Sequence, residues 1–177
     1  MHDLVLIKDR IVNTGFPELS QSIDISLAYK KKVEGAYLDV SWLGGNKYSI
    51  NIHTSMRRSS LDVLEGGIAH ELAHVARDYN MPWFAHEIAI SLYMNWSWYA
   101  TRDELQTDLF VVARGYGQKL LKFKKFAKQR MGEIKNGLTI EELERMLASI
   151  DLPRYRELSI SERRNVESEL AKALSGQ

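Results

Sequence analysis

Hydrophobic positions near the N-terminus predict a short helix followed by three strands. Leu4, Ile7 and Ile11 recur at helical spacing, and Gly15 stands where the cap of a helix C-terminus is expected. From residue 22 the period changes to two, and apolar residues alternate with polar ones in three runs that end near residue 53. We expect these runs to form three antiparallel strands connected in sequence.

A helical period returns after the third strand. Apolar residues lie at helical spacing from Leu61 to Val75, and Ser59 or Ser60 is a suitable N-cap. Pro82 follows beyond the expected end of the helix. This segment therefore predicts a helix with a regular apolar face.

The remaining chain predicts further helices. An aromatic segment from Met81 to Ala100 predicts a mostly buried helix, with one wall of a substrate cleft as the alternative, and another helix begins at Thr101. The basic run 119–130 is typical of an amphipathic helix with a solvated cationic face, because no base-stacking motif accompanies it. Ser/Thr-x-x-Glu capping boxes predict two more helices, from Thr139 and Ser159.

Length and charge narrow the class of protein. A chain of 177 residues predicts a single domain, with a core over about 22–118 and a helical subregion over about 119–177. A net charge of +1 produces no field that selects nucleic acid, so we expect no nucleic-acid partner. The N-terminus lacks signal-peptide features, and no apolar stretch reaches the roughly 20 residues of a membrane helix. We therefore expect a cytoplasmic protein without a membrane span; the pattern indicates no oligomeric state.

The helix after the strands contains the motif His70-Glu71-Leu72-Ala73-His74. Histidines at i and i+4 lie on one face of a helix, so both imidazoles can bind one metal ion. Glu71 lies about 100° further round the helix, beside the ion, where its carboxylate can act on a bound water. Two ordinary core histidines are the alternative, but the capped and regularly spaced helix favours a metal site.

The chain contains no cysteine, which excludes thiolate ligands. A zinc ion would therefore be held by imidazole and carboxylate, a ligand set typical of catalytic sites. The metzincin pattern requires a glycine and a third histidine after His74, but Arg77 and Asn80 occupy those positions. The third ligand must come from elsewhere in the chain.

Two residues are candidates for the third ligand that a catalytic zinc usually takes. Glu104 is favoured because Asp108 follows four residues later on the same helix face. One carboxylate can then bind the metal while the other accepts a hydrogen bond from the far nitrogen of a ligand histidine. His86 is the rival ligand, and a capping box with Thr101 is the alternative role of Glu104.

The two motifs together resemble those of the gluzincin zinc metallopeptidases, and most closely those of the minigluzincins and the soluble M48-type catalytic core, over roughly residues 36–115. The resemblance implies one zinc ion per chain, bound by His70, His74 and Glu104. It implies Glu71 as the general base and Asp108 as the support of a ligand histidine. The expected activity is zinc-dependent hydrolysis of a peptide or protein substrate by an endopeptidase.

The expected fold is α+β: a small antiparallel three-stranded sheet packed on the zinc-binding helix and the glutamate helix, with a helical C-terminal extension. The resemblance also suggests that the strand before the motif forms the substrate rim, with Tyr48, Ile50 and Ile52 as rim residues beside an extended substrate. Peptide hydrolysis needs a donor to the oxyanion besides zinc. The candidate donors are Tyr93, Tyr99, Tyr116 and His86.

Two other functions are compatible with the motifs. The regulatory peptidases of the ImmA/IrrE type share a His-Glu-Leu-x-His core, although similar proteins of that group carry Asn where Asp108 stands. The second is a non-catalytic metal-binding module whose aromatic segment and basic helix bind a partner. Such a module would bind metal without hydrolysing peptides.

Overall fold

The computed structural model describes residues 2–20, 23–33, 37–79, 81–132 and 136–149. Within these ranges the expected α+β class is confirmed, and the helix expected from Ser159 lies outside them. None of the helices described is both long and apolar enough to cross a membrane. The elements are α1 Leu4–Gly15, β1 Asp24–Lys30, β2 Leu38–Gly44, β3 Lys47–His53, α2 Leu61–Asp78, α3 Trp83–Asn95, α4 Ser97–Ala113, α5 Gly117–Met131 and α6 Ile140–Ser149.

The three-stranded sheet is mixed, with the order β1-β3-β2. β3 runs antiparallel to β2 and parallel to β1, so the prediction of three antiparallel strands is wrong for β1. Gly44 and Gly45 both have positive φ and form the tight turn that pairs β2 with β3. β3 takes the centre because it carries the fully buried side chains Ile50 and Ile52.

α2 is the central helix, and it packs against the sheet, α1, α4 and α5. Ser60 caps its N-terminus, where the Oγ accepts a backbone hydrogen bond of 3.4 Å from the first turn. Gly66 and Gly67 allow close packing of the neighbouring elements. A Cβ on Gly66 would overlap the carbonyl oxygen of Lys119 in α5, and one on Gly67 would lie 2.8 Å from Leu38 Cδ1 of β2.

The aromatic segment forms two helices, α3 and the start of α4, which meet at Trp96. Among its described side chains, Ile88 is 57% exposed, Met94 76% and Trp98 57%. The prediction of one mostly buried helix is therefore wrong. The physical reason is that α3 packs mainly against α4, so much of its apolar surface has no protein neighbour within the described ranges.

The lysines of α5 are paired with acidic side chains. Every one of them has a carboxylate within 4.0 Å, and Lys124 is only 5% exposed. The expected solvated cationic face is confirmed for Lys122, Lys125 and Lys128, whose side chains are about half exposed, and it is wrong for Lys124, which is buried against Asp108. The pairs are Lys119–Glu65, Lys122–Asp62, Lys124–Asp108, Lys125–Glu144 and Lys128–Glu141.

Candidate metal centre

α2 and α4 bring two imidazoles and one carboxylate together. His70 and His74 lie one turn apart on α2, with ring centroids 5.0 Å apart. Glu104 reaches them from α4: its Oε2 lies 3.1 Å from His70 Nε2 and its Oε1 lies 3.7 Å from His74 Nε2. One ligand atom from each residue lies within 4.8 Å of the others, a spacing that suits three ligands of one ion.

The far nitrogen of His70 contacts a carboxylate. His70 Nδ1 lies 3.1 Å from Oδ1 of Asp108, whose side chain is fully buried. A carboxylate accepts, so Nδ1 carries a hydrogen, and Nε2 is the ring nitrogen that faces Glu104 and becomes a ligand atom when it loses its proton. This arrangement fixes the tautomer that a metal ligand requires.

His74 has a corresponding support from α4. Its Nδ1 lies 3.3 Å from Thr107 Oγ1 and 3.5 Å from Asp103 Oδ2. The hydroxyl of Thr107 donates to the backbone oxygen of Asp103 at 3.0 Å, so it accepts the hydrogen on His74 Nδ1. The guanidinium of Arg77 donates to Thr107 Oγ1 at 2.5 Å and to Asp103 Oδ1 at 2.8 Å. Nε2 of His74 therefore carries the lone pair, and it faces Glu104 Oε1 at 3.7 Å.

Sequence reasoning missed the residues that support His74. The available signal was a repeated doublet on α4, Asp103-Glu104 and Thr107-Asp108. Residues four apart share a helix face, so each member of the first doublet lies one turn from its counterpart in the second. Asp103 and Thr107 form the row that supports His74. Glu104 and Asp108 form the other row, in which Asp108 supports His70.

Glu71 is a buried carboxyl beside the histidines, only 7% exposed. Burial raises its pKa to about 7, and the negative charges of Glu104 and Asp39 act in the same direction, while His70 opposes them. A carboxyl with such a pKa exchanges protons readily near neutral pH, which is what a general base and acid requires.

Without metal, the pKa values of the three candidate ligands are shifted in different directions. Burial opposes a charge on His70, but hydrogen bonds to Asp108 and Glu104 outweigh it and raise its pKa well above the ordinary value. Burial and the charge of His70 lower the pKa of His74 to about 4. Burial favours neutral Glu104, yet the hydrogen bond and charge of His70 hold the pKa of Glu104 far below its usual range. Without metal, a protonated His70 therefore links the two carboxylates.

Glu104 does not form the alternative capping box. α4 begins at Ser97, so Thr101 lies inside the helix, where its hydroxyl donates to the Ser97 carbonyl oxygen at 2.9 Å. The carboxylate of Glu104 instead accepts a hydrogen bond of 2.7 Å from the hydroxyl of Tyr93. The side chain is thus held at the histidines.

The structure separates the four candidate oxyanion donors. Tyr93 reaches the centre from α3 through its bond to Glu104. The prediction of Tyr116 as an oxyanion donor is wrong. Tyr116 is 8% exposed, and its hydroxyl lies 2.6 Å from the hydroxyl of Thr14. It follows the C-terminal end of α4, and the part of α4 from Glu104 to that end is about 13 Å long. Tyr99 packs edge-on against Trp98. His86 lies on α3, but its side chain is outside the described part of the structure.

The expectation that Tyr48, Ile50 and Ile52 of β3 form a substrate rim is also wrong. β3 lies between β1 and β2, so its backbone groups pair on both sides. Tyr48 is 5% exposed, and Ile50 and Ile52 are fully buried, because these side chains form the core face of the sheet. Within the described residues β2 is an edge strand, and it contacts α2. Its Asp39 is close enough to influence the pKa of Glu71.

The chain matches no protein-family model, and neither the curated proteins nor the solved structures contain a match to it. The functional assignment therefore depends on the geometry of the site.

Proposed function

We propose that this protein is a zinc-dependent metallopeptidase whose site is His70, Glu71, His74 and Glu104. The observation that carries the proposal is the convergence of two imidazoles and a carboxylate within 4.8 Å, beside a buried glutamate with a pKa of about 7. Two imidazoles with one carboxylate suit zinc, and three protein ligands leave a position for water or substrate. Bound zinc supplies Lewis-acid activation of the water and the substrate carbonyl.

Each residue has a chemical task in this proposal. Asp108 and Thr107 hold the hydrogens on the Nδ1 atoms, so that both Nε2 atoms serve as ligands. Glu71 takes the proton of the attacking water and returns it to the leaving amine. In the metal-free protein burial raises the pKa of Glu71 to about 7, and a bound cation would lower it, which favours the carboxylate that takes the proton of the water.

The substrate is proposed to be an extended peptide that pairs with β2, an edge strand of the described sheet. An edge strand offers unpaired backbone donors and acceptors to a second extended chain. β2 fits this role better than β3, because β2 lies at the edge of the described sheet and its Asp39 influences the pKa of Glu71. This arrangement leads the peptide past the catalytic carboxyl.

The test compares Glu71→Gln with the wild-type protein after zinc reconstitution. The variant should keep one zinc per chain, because residue 71 is not a ligand, and should lose peptide hydrolysis because the amide takes no proton. Glu144→Gln is the control, since Glu144 is 47% exposed on α6. Turnover retained by the Glu71 variant would refute the mechanism.

A non-catalytic metal-binding module is the second candidate, and one observation favours it. Met94, Trp96 and Trp98 are all more than half exposed at the corner of α3 and α4, and exposed apolar clusters mark interaction surfaces. Zinc binding by the wild-type protein without hydrolysis of any peptide in a diverse library would support this candidate.

A further inference from the structure

Lys124 differs from the other lysines of α5 in its depth and in its partner. It is 5% exposed, and its Nζ lies 2.6 Å from Asp108 Oδ2 and donates to the carbonyl oxygen of Leu138 at 3.0 Å. A buried ammonium is unfavourable unless a well-placed partner compensates it. Here the partner is the carboxylate that contacts His70.

A second group holds the same oxygen of Asp108. The backbone N–H of Leu138, in the connection between α5 and α6, donates to Oδ2 at 2.7 Å. The neighbouring Gly137 has φ +78°, and a Cβ there would overlap Oδ2. The connection therefore packs directly on the carboxylate, and both donors use Oδ2 while Oδ1 faces His70 at 3.1 Å.

We infer that Lys124 is a positioning residue for the metal centre and acts together with the Gly137-Leu138 connection. They hold Asp108 so that Oδ1 accepts from His70 Nδ1, which keeps His70 Nε2 directed at the ion. The inference depends on the proposed metal site and extends it: the α5–α6 region supports a metal ligand. A salt bridge of purely structural value would affect stability without affecting the ion.

The first test replaces the buried ammonium by Lys124→Met, with Lys122→Met as the matched control. Lys122 is on the same helix, 55% exposed, and pairs with Asp62 away from the ligands. Loss of a residue that orients a ligand commonly weakens metal affinity 10–100-fold. We expect about tenfold weaker zinc binding in Lys124→Met by chelator competition, together with a changed visible spectrum of the cobalt-loaded protein. Lys122→Met should show neither change.

A double-mutant cycle identifies the route of the effect. Because Lys124 acts through Asp108, adding Lys124→Met to an Asp108→Asn protein should cause no further loss of zinc affinity. A full additional loss in that background would overturn the inference, since Lys124 would then act by another path.

A second pair of variants applies if Lys124→Met fails to fold. Gly137→Ala should displace Oδ2 of Asp108 and reproduce the lower zinc affinity and the altered cobalt spectrum. Gly132→Ala is its control, because Gly132 also has positive φ, at +86°, but has open space around the position of a Cβ. The control should lose stability only, with wild-type zinc affinity.

The outcomes separate this inference from the proposed function. Normal zinc affinity and cobalt spectra in the Lys124 and Gly137 variants, with a wild-type protein that binds zinc and cleaves peptides, would overturn the inference alone. Failure of the wild-type protein to bind zinc would overturn both. Weaker zinc binding only in the variants that disturb Asp108 would support both the site and its outer support.

Discussion

Zinc binding is expected to release a proton from His70. The pKa of His70 is well above its ordinary value because hydrogen bonds to Asp108 and Glu104 outweigh the effect of burial. His74 is neutral at pH 7, since burial and the charge of His70 lower its pKa to about 4. A metal ion takes the Nε2 lone pair of both rings, so His70 must lose its proton when zinc binds.

The structure gives the size of this effect. At pH 7 we expect about one proton from His70 for each zinc ion. Glu71, with a pKa of about 7, is half protonated there, so it contributes up to about half a proton as the nearby ion lowers its pKa. At pH values below the raised pKa of His70, the proton released by His70 alone makes zinc affinity rise about tenfold per pH unit, or about 1.36 kcal/mol, and the proton from Glu71 adds to this slope near pH 7.

Isothermal titration calorimetry measures the released protons. Zinc is titrated at pH 7 in buffers of different ionisation enthalpy, and the slope of observed enthalpy against buffer enthalpy is the proton count. Glu71→Gln should remove the smaller contribution. Asp108→Asn should reduce the larger one, because His70 then loses a carboxylate that raises its pKa. A wild-type count near zero, or a count unaffected by Asp108→Asn, would refute this reasoning.

Three further predictions concern packing and ligands. Gly66→Ala should lower the free energy of unfolding more than Gly67→Ala does in urea denaturation, because a Cβ at Gly66 meets the α5 backbone whereas one at Gly67 meets side chains. Overpacking costs about 1–3 kcal/mol. Equal losses in the two variants would contradict this packing. Tyr93→Phe should reduce turnover by about 10²–10³ in steady-state kinetics, because Tyr93 is the candidate oxyanion donor that reaches the centre. Zinc affinity should fall by less than about tenfold, since the variant also loses the hydrogen bond to Glu104; unchanged turnover would exclude Tyr93 as the donor. Glu104→Ala should bind zinc more weakly in elemental analysis after dialysis; unchanged retention would move the third ligand to His86.

The local pattern of the sequence was sufficient to predict α2, the helix that contains the His-Glu-x-x-His motif. Ser60 caps α2 as expected, and the apolar spacing from Leu61 to Val75 corresponds to a helix observed over Leu61–Asp78. Caps and helical periods depend on residues within a few positions of each other. The spacing of His70 and His74 is determined by the same helix geometry, so both rings face the same side.

Strand order could not be predicted in the same way. Alternation shows which face of a strand is buried, and β3 is buried as its pattern indicates. Alternation does not show which strands are neighbours, because pairing joins segments that are distant in sequence. The parallel pairing of β1 with β3 is one such case, and it places β3 between two strands instead of at the sheet edge where a substrate rim was expected.

The contacts that build the candidate metal centre also include some between residues close in sequence and some between residues far apart. Glu104 and Asp108 are one helical turn apart, so their shared face could be predicted from spacing alone. The contact of His70 with Asp108 joins residues 38 apart, and that of Asp108 with Leu138 joins residues 30 apart. Lys124 lies in a run of similar lysines, and only the position of α4 and of the α5–α6 connection makes it the buried one. A test of Lys124 therefore examines the part of the site that the sequence pattern did not predict.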